Sequence, residues 1–134
     1  MNILALSVSE LSLFNELTKL AEEASHAVEV INANFSNAFG IGKKEIHVFS
    51  TESCGEYYGD GYLTIDGIFK YHDNWWGGRD WSVTCTPDGI YKMLRANLLC
   101  DTNRGNLIPP EERELGDVAH YFRMFINQTE LNSK

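Results

Sequence analysis

The sequence predicts an α+β fold: an N-terminal helix, an antiparallel meander of three or four strands, and two C-terminal helices packed on one sheet face. Apolar residues recur at the helical period near the amino terminus, and the middle of the chain changes to short β-prone runs separated by glycines. Two helical patterns that open on proline follow. The length of 134 residues fits one globular domain over residues 1–134.

The first predicted helix has a clear start and a single apolar stripe. Ser7 and Glu10 form a capping box, in which each side chain satisfies a free backbone N–H. The stripe recurs at steps of three and four residues: Leu13, Leu17, Leu20, Ala24, Ala27, Ile31 and Phe35. The residues expected to face water are mostly acidic: Glu16, Lys19, Glu22, Glu23 and Glu29. Gly40 and Gly42 are expected to end the helix.

The middle of the chain, about residues 44–86, has the pattern of β-strands. Its β-prone runs cover residues 45–50, 62–65, 68–71 and 81–85. Asp66-Gly67 predicts a hairpin in which both turn residues take positive φ, and one long strand with a bulge at Gly67 is the alternative. Gly59-Asp60-Gly61 and Gly77-Gly78 are predicted to be turns. Parallel pairing would need crossover helices, for which the spacing leaves no room.

Two helices are predicted after the strands. Thr86 as N-cap and Pro87 at the first helical position open the first of them. Its expected buried side consists of Ile90, Met93, Leu94, Leu98 and Cys100. Residues 103–106 break this helix, and Pro109-Pro110 opens the last one. The last helix is expected to bury Leu115, Val118, Phe122, Phe125 and Ile126.

Charge and cysteine usage narrow the class of protein. The formal net charge of −8 opposes direct binding of nucleic acid or of an anionic membrane, because both need a basic face. It favours a protein partner with a basic surface, with solubility alone as the alternative. The three cysteines, Cys54, Cys85 and Cys100, do not form a disulfide framework. Without a signal-peptide pattern, the expected location is the cytoplasm, of the cell itself or of a host.

No motif predicts a catalytic residue, a metal or a cofactor. No cysteine and histidine spacing matches a zinc site, and no acidic spacing matches a calcium loop. The Gly-Lys segment 40–44 leads from helix to strand, the reverse of a phosphate loop. Cys54 with His47, His72 or His120 could form a thiol site, although a negative setting opposes thiolate formation. An enzyme with an unrecognised site at these residues stays an alternative.

The most prominent candidate surface is aromatic and acidic. Trp75 and Trp76 are adjacent in a predicted loop, which cannot easily bury both rings, and exposed aromatics often mark binding sites. Carboxylates lie on both sides of them along the chain. The predicted partner-binding residues are Tyr57, Tyr58, Asp60, Asp73, Trp75, Trp76, Arg79 and Asp80. The alternative is that the aromatics cover the edge of the core, and burial in the core is favoured for Tyr62, Phe69 and Tyr71.

These features predict a small acidic, non-catalytic protein that inhibits or protects a protein partner. In size, charge and lack of motifs, the chain is similar to toxin immunity proteins and to small counter-defence proteins of phages and plasmids. A strand that leads into two C-terminal helices is also similar to plasmid antirestriction proteins. This similarity identifies no family. The other alternative is a dedicated chaperone that dimerises through its long first helix.

Overall fold

The computed structural model describes residues 7–54, 58–74 and 78–133, with the backbone alone for Ser53 and Cys54. The fold class is confirmed: one long helix precedes a four-stranded antiparallel sheet of order β1-β2-β3-β4, and helices follow. The helices and strands are α1 (Val8–Phe35), β1 (Glu45–Ser50), β2 (Gly59–Thr64), β3 (Ile68–Asp73), β4 (Asp80–Thr84), α2 (Pro87–Asp101), α3 (Pro110–Leu115) and α4 (Ala119–Asn132).

The core lies between the helices and one face of the sheet. Along β2 and β3, buried residues alternate with exposed or half-buried ones, and β1 and β4 each have one buried residue, as expected for a sheet covered on one side. The buried strand residues and the buried helix residues form one apolar cluster, whose largest members include Phe69, Tyr71, Phe122 and Phe125. The sheet is therefore anchored to α1, α2 and α4 through a single face.

The N-cap of α1 at Ser7 is confirmed, but the helix ends earlier than predicted. The Ser7 Oγ accepts a hydrogen bond from the backbone N–H of Glu10 at 3.1 Å. The helix ends at Phe35, before the glycines that were expected to end it. Gly42 takes a φ of 82° in the turn closed by the hydrogen bond from the Lys43 N–H to the Gly40 carbonyl. Its conformational freedom serves the turn into β1 and not the helix end.

The prediction of a turn at residues 59–61 was wrong, because these residues form the first half of β2. Both glycines lie under aromatic rings of the core. A Cβ on Gly61 would approach the Phe69 ring to 2.7 Å, and one on Gly59 would lie 2.6 Å from the Tyr71 Oη. Glycine is needed here for close packing within a strand and not for a turn. Asp60 is therefore a strand residue.

The β2–β3 hairpin is confirmed with different turn geometry. The strands are separated by Ile65-Asp66-Gly67, and only Gly67 has positive φ, at 82°. The Gly67 N–H donates to the Thr64 carbonyl at 3.0 Å. This is a three-residue loop closed by a left-handed glycine, which spares Asp66 the strained conformation that a two-residue turn would impose.

The helix α2 starts as predicted but is buried on two sides. The Thr86 Oγ1 accepts from the Gly89 N–H at 3.1 Å. Ala96 and Leu99 are buried in a second cluster with Ile108, against which Leu13 of α1 packs. The expected burial of Leu98 and Cys100 was wrong: Leu98 is half-buried and Cys100 is exposed. The reason is that α1 covers a side of α2 that the spacing of apolar residues within α2 does not identify as buried.

The last predicted helix is split at Gly116 into α3 and α4, joined by a 3-10 turn. At this point the chain touches the backbone of α2. A Cβ on Gly116 would lie 2.8 Å from the Asn97 backbone nitrogen. The close approach of the two backbones redirects the chain, and the predicted apolar stripe continues through Val118 into α4.

Candidate functional site

The face of the sheet opposite the helices is the most extensive candidate surface, and we call it the open face. None of its described residues is buried. One row at an end of this face crosses all four strands, because Ser50 pairs with Asp60, Asp60 with His72, and His72 with Asp80. The open face consists of Glu45, His47, Ser50, Asp60, Tyr62, Thr64, Ile68, Lys70, His72, Asp80, Ser82 and Thr84.

Asp60 is the most enclosed carboxylate of the open face. Its side chain is 18% exposed. The Asp60 Oδ1 lies 2.8 Å from the His47 Nε2, and its Oδ2 accepts from the Asn74 amide at 3.3 Å. The His47 ring also meets the Tyr62 ring edge to face, at 5.2 Å between centroids. Asp60 of β2 therefore connects His47 of β1 to Asn74, which directly follows β3.

Asp80 is the most exposed carboxylate on this face. Its side chain is 72% exposed, and its Oδ1 lies 2.5 Å from the His72 Nδ1. At the other end of the face, Lys70 pairs with Glu45 at 3.3 Å. Three carboxylates and one lysine lie on these strands of the open face, so its formal charge is negative.

A buried threonine fixes the chain at the end of the open face. The Thr51 Oγ1 accepts hydrogen bonds from the backbone N–H groups of Tyr58 and Gly59, at 2.5 and 3.0 Å. The Thr51 side chain thereby joins the end of β1 to the start of β2, on both sides of residues 55–57. This contact sets where Asp60 enters the open face.

The predicted partner-binding residues divide between two sides of the sheet. Asp60 and Asp80 lie on the open face, in the same row. Asp73 has the register of the core-facing positions, opposite Gly59. Tyr58, which is half-buried, precedes β2 at the same end of the sheet. Tyr57, Trp75 and Trp76 lie outside the described residues.

Arg79 belongs to the helical side and not to the open face. Its Nη1 donates to the Asp117 carboxylate at 3.3 Å, and its Cζ lies 4.6 Å above the Trp81 ring. The Trp81 indole N–H in turn donates to the Glu114 carbonyl. Arg79 therefore ties the start of β4 to the α3 region, which gives it a structural role in addition to any binding role.

Asp73 also faces the helical side. The phenol of Tyr121 stacks on Tyr71 at 4.4 Å between centroids. Burial raises the pKa of Tyr121, and the negative charge of Asp73 raises it further. Of the predicted site residues in the described chain, Asp60 and Asp80 lie on the open face, whereas Asp73 and Arg79 lie on the helical side, where the Asp73 N–H donates to the Arg79 carbonyl at 2.8 Å.

Sequence reasoning missed the surface role of His47, Tyr62 and His72. It considered the histidines only as partners of Cys54 or as zinc ligands, and it favoured burial of Tyr62, which is half-exposed on the open face. Phe69 and Tyr71 are buried as expected. The signal was present in the alternation of polar residues at every second position of the β3 and β4 runs.

For the enzyme alternative, the structure describes the side chains of the histidines but not that of the cysteine. His47 and His72 lie on one face, and each is hydrogen-bonded to a carboxylate, which can orient an imidazole for proton transfer. The Cys54 side chain lies outside the described residues. Within the described chain, no three His, Cys, Asp or Glu side chains could hold a metal ion together. The alternative stays a hypothesis.

Comparison with known proteins gives no relative. No family model matches the chain, and no curated protein or solved structure is significantly similar to it. In residues 7–54, 58–74 and 78–133, no helix has both the length and the apolar character that crossing a membrane requires. A function must therefore be argued from the surfaces of the fold.

A separate concavity lies between the end of α1 and the β2–β3 hairpin. It has a volume of about 270 Å³, and its apolar lining includes Phe35, Phe39, Leu63 and Cys85. Burial raises the pKa of the Cys85 thiol to about 11, although a backbone hydrogen bond at Phe69 acts in the opposite direction. Cys85 is therefore a neutral thiol at physiological pH and not an activated nucleophile.

The raised pKa of the Cys85 thiol predicts that the protein loses stability at alkaline pH. In the unfolded chain the thiol has its ordinary pKa of 9.0, whereas in the folded chain its pKa is about 11. The free energy of unfolding should therefore be insensitive to this thiol below pH 9 and fall by about 2 kcal/mol as the pH rises toward 11. Urea denaturation across this range should show a decline that Cys85→Ala reduces. Cys100→Ala retains Cys85 and should retain the decline. An identical decline in Cys85→Ala would contradict the assignment.

Proposed function

We propose that this protein is a non-catalytic binding protein that inhibits or protects a protein partner with a basic surface. The observation that carries the proposal is the division of the sheet: among the described residues, the packed helices lie on one face, and the opposite face is polar, accessible and formally negative. An antiparallel sheet can keep such a face in water or use it to bind.

Electrostatics supports a basic partner. The carboxylate of Asp80 is largely exposed, and the whole chain carries a net charge of −8. Complementary charge accelerates association and selects against wrong partners. Tyr62, half-exposed beside this acidic row, adds an aromatic side chain of the kind that contributes strongly at interfaces. The surface thus combines the charge and the aromatic contact that a protein interface uses.

The test is affinity capture with matched charge reversals. The tagged wild type should retain one stoichiometric protein from a lysate of the source cell or of its host. Asp80→Lys should weaken that binding by at least about tenfold, or roughly 1.4 kcal/mol. Glu16→Lys changes the net charge equally on an exposed position of α1 and should leave binding within about twofold.

Two outcomes would overturn the proposal. One is the absence of any stoichiometric partner from either lysate, and the other is equal weakening by Asp80→Lys and Glu16→Lys. Equal weakening would mean that net charge acts and not the open face. Replacing Trp75 and Trp76 together by alanine tests the predicted loop contribution in the same assay. A loss of binding in this double variant, but not in Asp80→Lys, would place the contact at the loop and not on the open face.

A further inference from the structure

The helix α1 extends well beyond the core that it covers. All of its buried residues, Ala24, Ala27, Val30 and Ile31, lie in its carboxyl-terminal half. Its amino-terminal half contacts the rest of the protein along one stripe, where Leu13 packs against the second apolar cluster of α2 and Leu20 against the main core. The remaining circumference of this half faces solvent.

A second stripe runs along the exposed side of α1, and we call it the outer stripe. It consists of Leu11, Phe14, Thr18, Ala21 and Ser25, at steps of three and four residues. Leu11 is 39% exposed and Phe14 is 53% exposed. The Thr18 Oγ1 donates to the Phe14 carbonyl at 3.0 Å, so this hydroxyl is satisfied within the helix. The outer stripe therefore begins with two large apolar side chains and continues with small ones.

The small residues leave a shallow depression on the helix surface. It has a volume of about 500 Å³ and is lined by Thr18, Ala21, Glu22, Ser25, His26 and Glu29. Small side chains let a second helix approach closely, and large apolar residues at one end can anchor it. From Leu11 to Ser25 the outer stripe is roughly 21 Å long, which is the length of about four helical turns.

The charges beside the outer stripe decide between possible occupants. Glu10, Glu22 and Glu29 lie along it, and within the described chain none of these carboxylates forms an ion pair. A second copy of α1 would place acidic side chains against acidic ones, which is unfavourable. A helix with lysines or arginines beside an apolar face would match both the carboxylates and Phe14.

We infer that the outer stripe of α1 is a docking site for a cationic amphipathic helix of a partner protein. The apolar face of that helix packs on Leu11 and Phe14, and its cations pair with Glu22 and Glu29. The site lies on the helical layer, on the other side of the sheet from the open face. It depends on neither the open face nor its proposed partner.

A designed peptide tests this inference directly. The probe is a helical peptide of about 18 residues, with leucines at the helical period and lysines elsewhere, compared with a scrambled peptide of the same composition. Calorimetric titration should give a Kd in the micromolar range for the helical peptide and at least about tenfold weaker binding for the scrambled one. The Kd should rise with salt, because the contact is partly electrostatic.

Variants locate the contact. Leu11→Ser plus Phe14→Ser should weaken the helical peptide at least about tenfold, and Glu22→Gln plus Glu29→Gln should weaken it and flatten its salt dependence. Ile65→Ser is the matched control, since Ile65 is an aliphatic residue of similar exposure, 58%, in the β2–β3 turn. It should leave the Kd unchanged. Thermal unfolding of each variant checks that the fold persists.

Several results would overturn the inference. Equal binding of the helical and scrambled peptides would mean that charge alone acts. Equal effects of the Ile65 and the Leu11/Phe14 variants would place the contact elsewhere. A concentration-dependent dimer in sedimentation, lost in the Leu11/Phe14 variant, would make a second copy of the chain the occupant.

Discussion

Replacing Phe125 by alanine is expected to lower the free energy of unfolding by about 3–5 kcal/mol. Phe125 is fully buried, and its ring lies at the junction of the sheet and the helices. It stacks on Phe69 of β3 at 4.7 Å between centroids and meets the rings of Phe35, Phe49 and Phe122. The substitution removes these contacts and leaves a cavity that the surrounding rings fill only partly.

Urea denaturation followed by fluorescence and circular dichroism measures this loss. Phe14→Ala is the matched control: it removes the same side chain from α1, where that side chain is half-exposed. It should cost less than about 1 kcal/mol. Similar losses in the two variants would show that Phe125 does not join the two layers of the core.

Replacing Thr51 by valine is expected to cost about 2–4 kcal/mol although the two side chains have nearly the same shape. Thr51 is 1% exposed, and its hydroxyl accepts two backbone N–H groups at the start of β2. A methyl group in its place cannot accept these two hydrogen bonds, and a buried N–H group that loses its acceptor destabilises the fold. The start of β2 should loosen, and the position of Asp60 on the open face should change with it.

The control for Thr51→Val is Thr129→Val, at the other buried threonine of the described chain. The Thr129 hydroxyl donates to the Phe125 carbonyl within α4. Replacing this hydroxyl leaves no backbone N–H without its acceptor, so the substitution should cost less than about 1 kcal/mol. Hydrogen exchange should show faster exchange at Gly59 in Thr51→Val only. Equal stabilities of the two variants would contradict a closing role for Thr51.

Interactions between residues close in sequence were predicted well. The caps at Ser7 and Thr86 depend on residues three positions away, and the structure contains both. The hairpin depends on Gly67 and its neighbours, and it too was found. Such patterns can be recognised in the sequence because the interacting groups are within one turn of each other along the chain.

Interactions between distant residues were predicted poorly. The glycines at 59 and 61 suggested a turn because nothing nearby in the sequence shows that Phe69 and Tyr71 would lie on them. The carboxylate of Asp60 therefore seemed to belong to a loop, although strand pairing places it beside His72 on the open face. Two of the three carboxylates of the open face, Asp60 and Asp80, were among the predicted binding residues, but their arrangement across the strands was not predicted.

By itself, the amino-acid sequence determined the α+β class, the starts of α1 and α2 and the net negative charge, because periodicity, caps and composition are local properties. The tertiary structure decided which sheet face stays open, where the last helix breaks and how much of α1 remains uncovered. These outcomes depend on how closely separate elements approach one another, as at Gly116 against Asn97. Both proposed binding surfaces are what that packing leaves in contact with water.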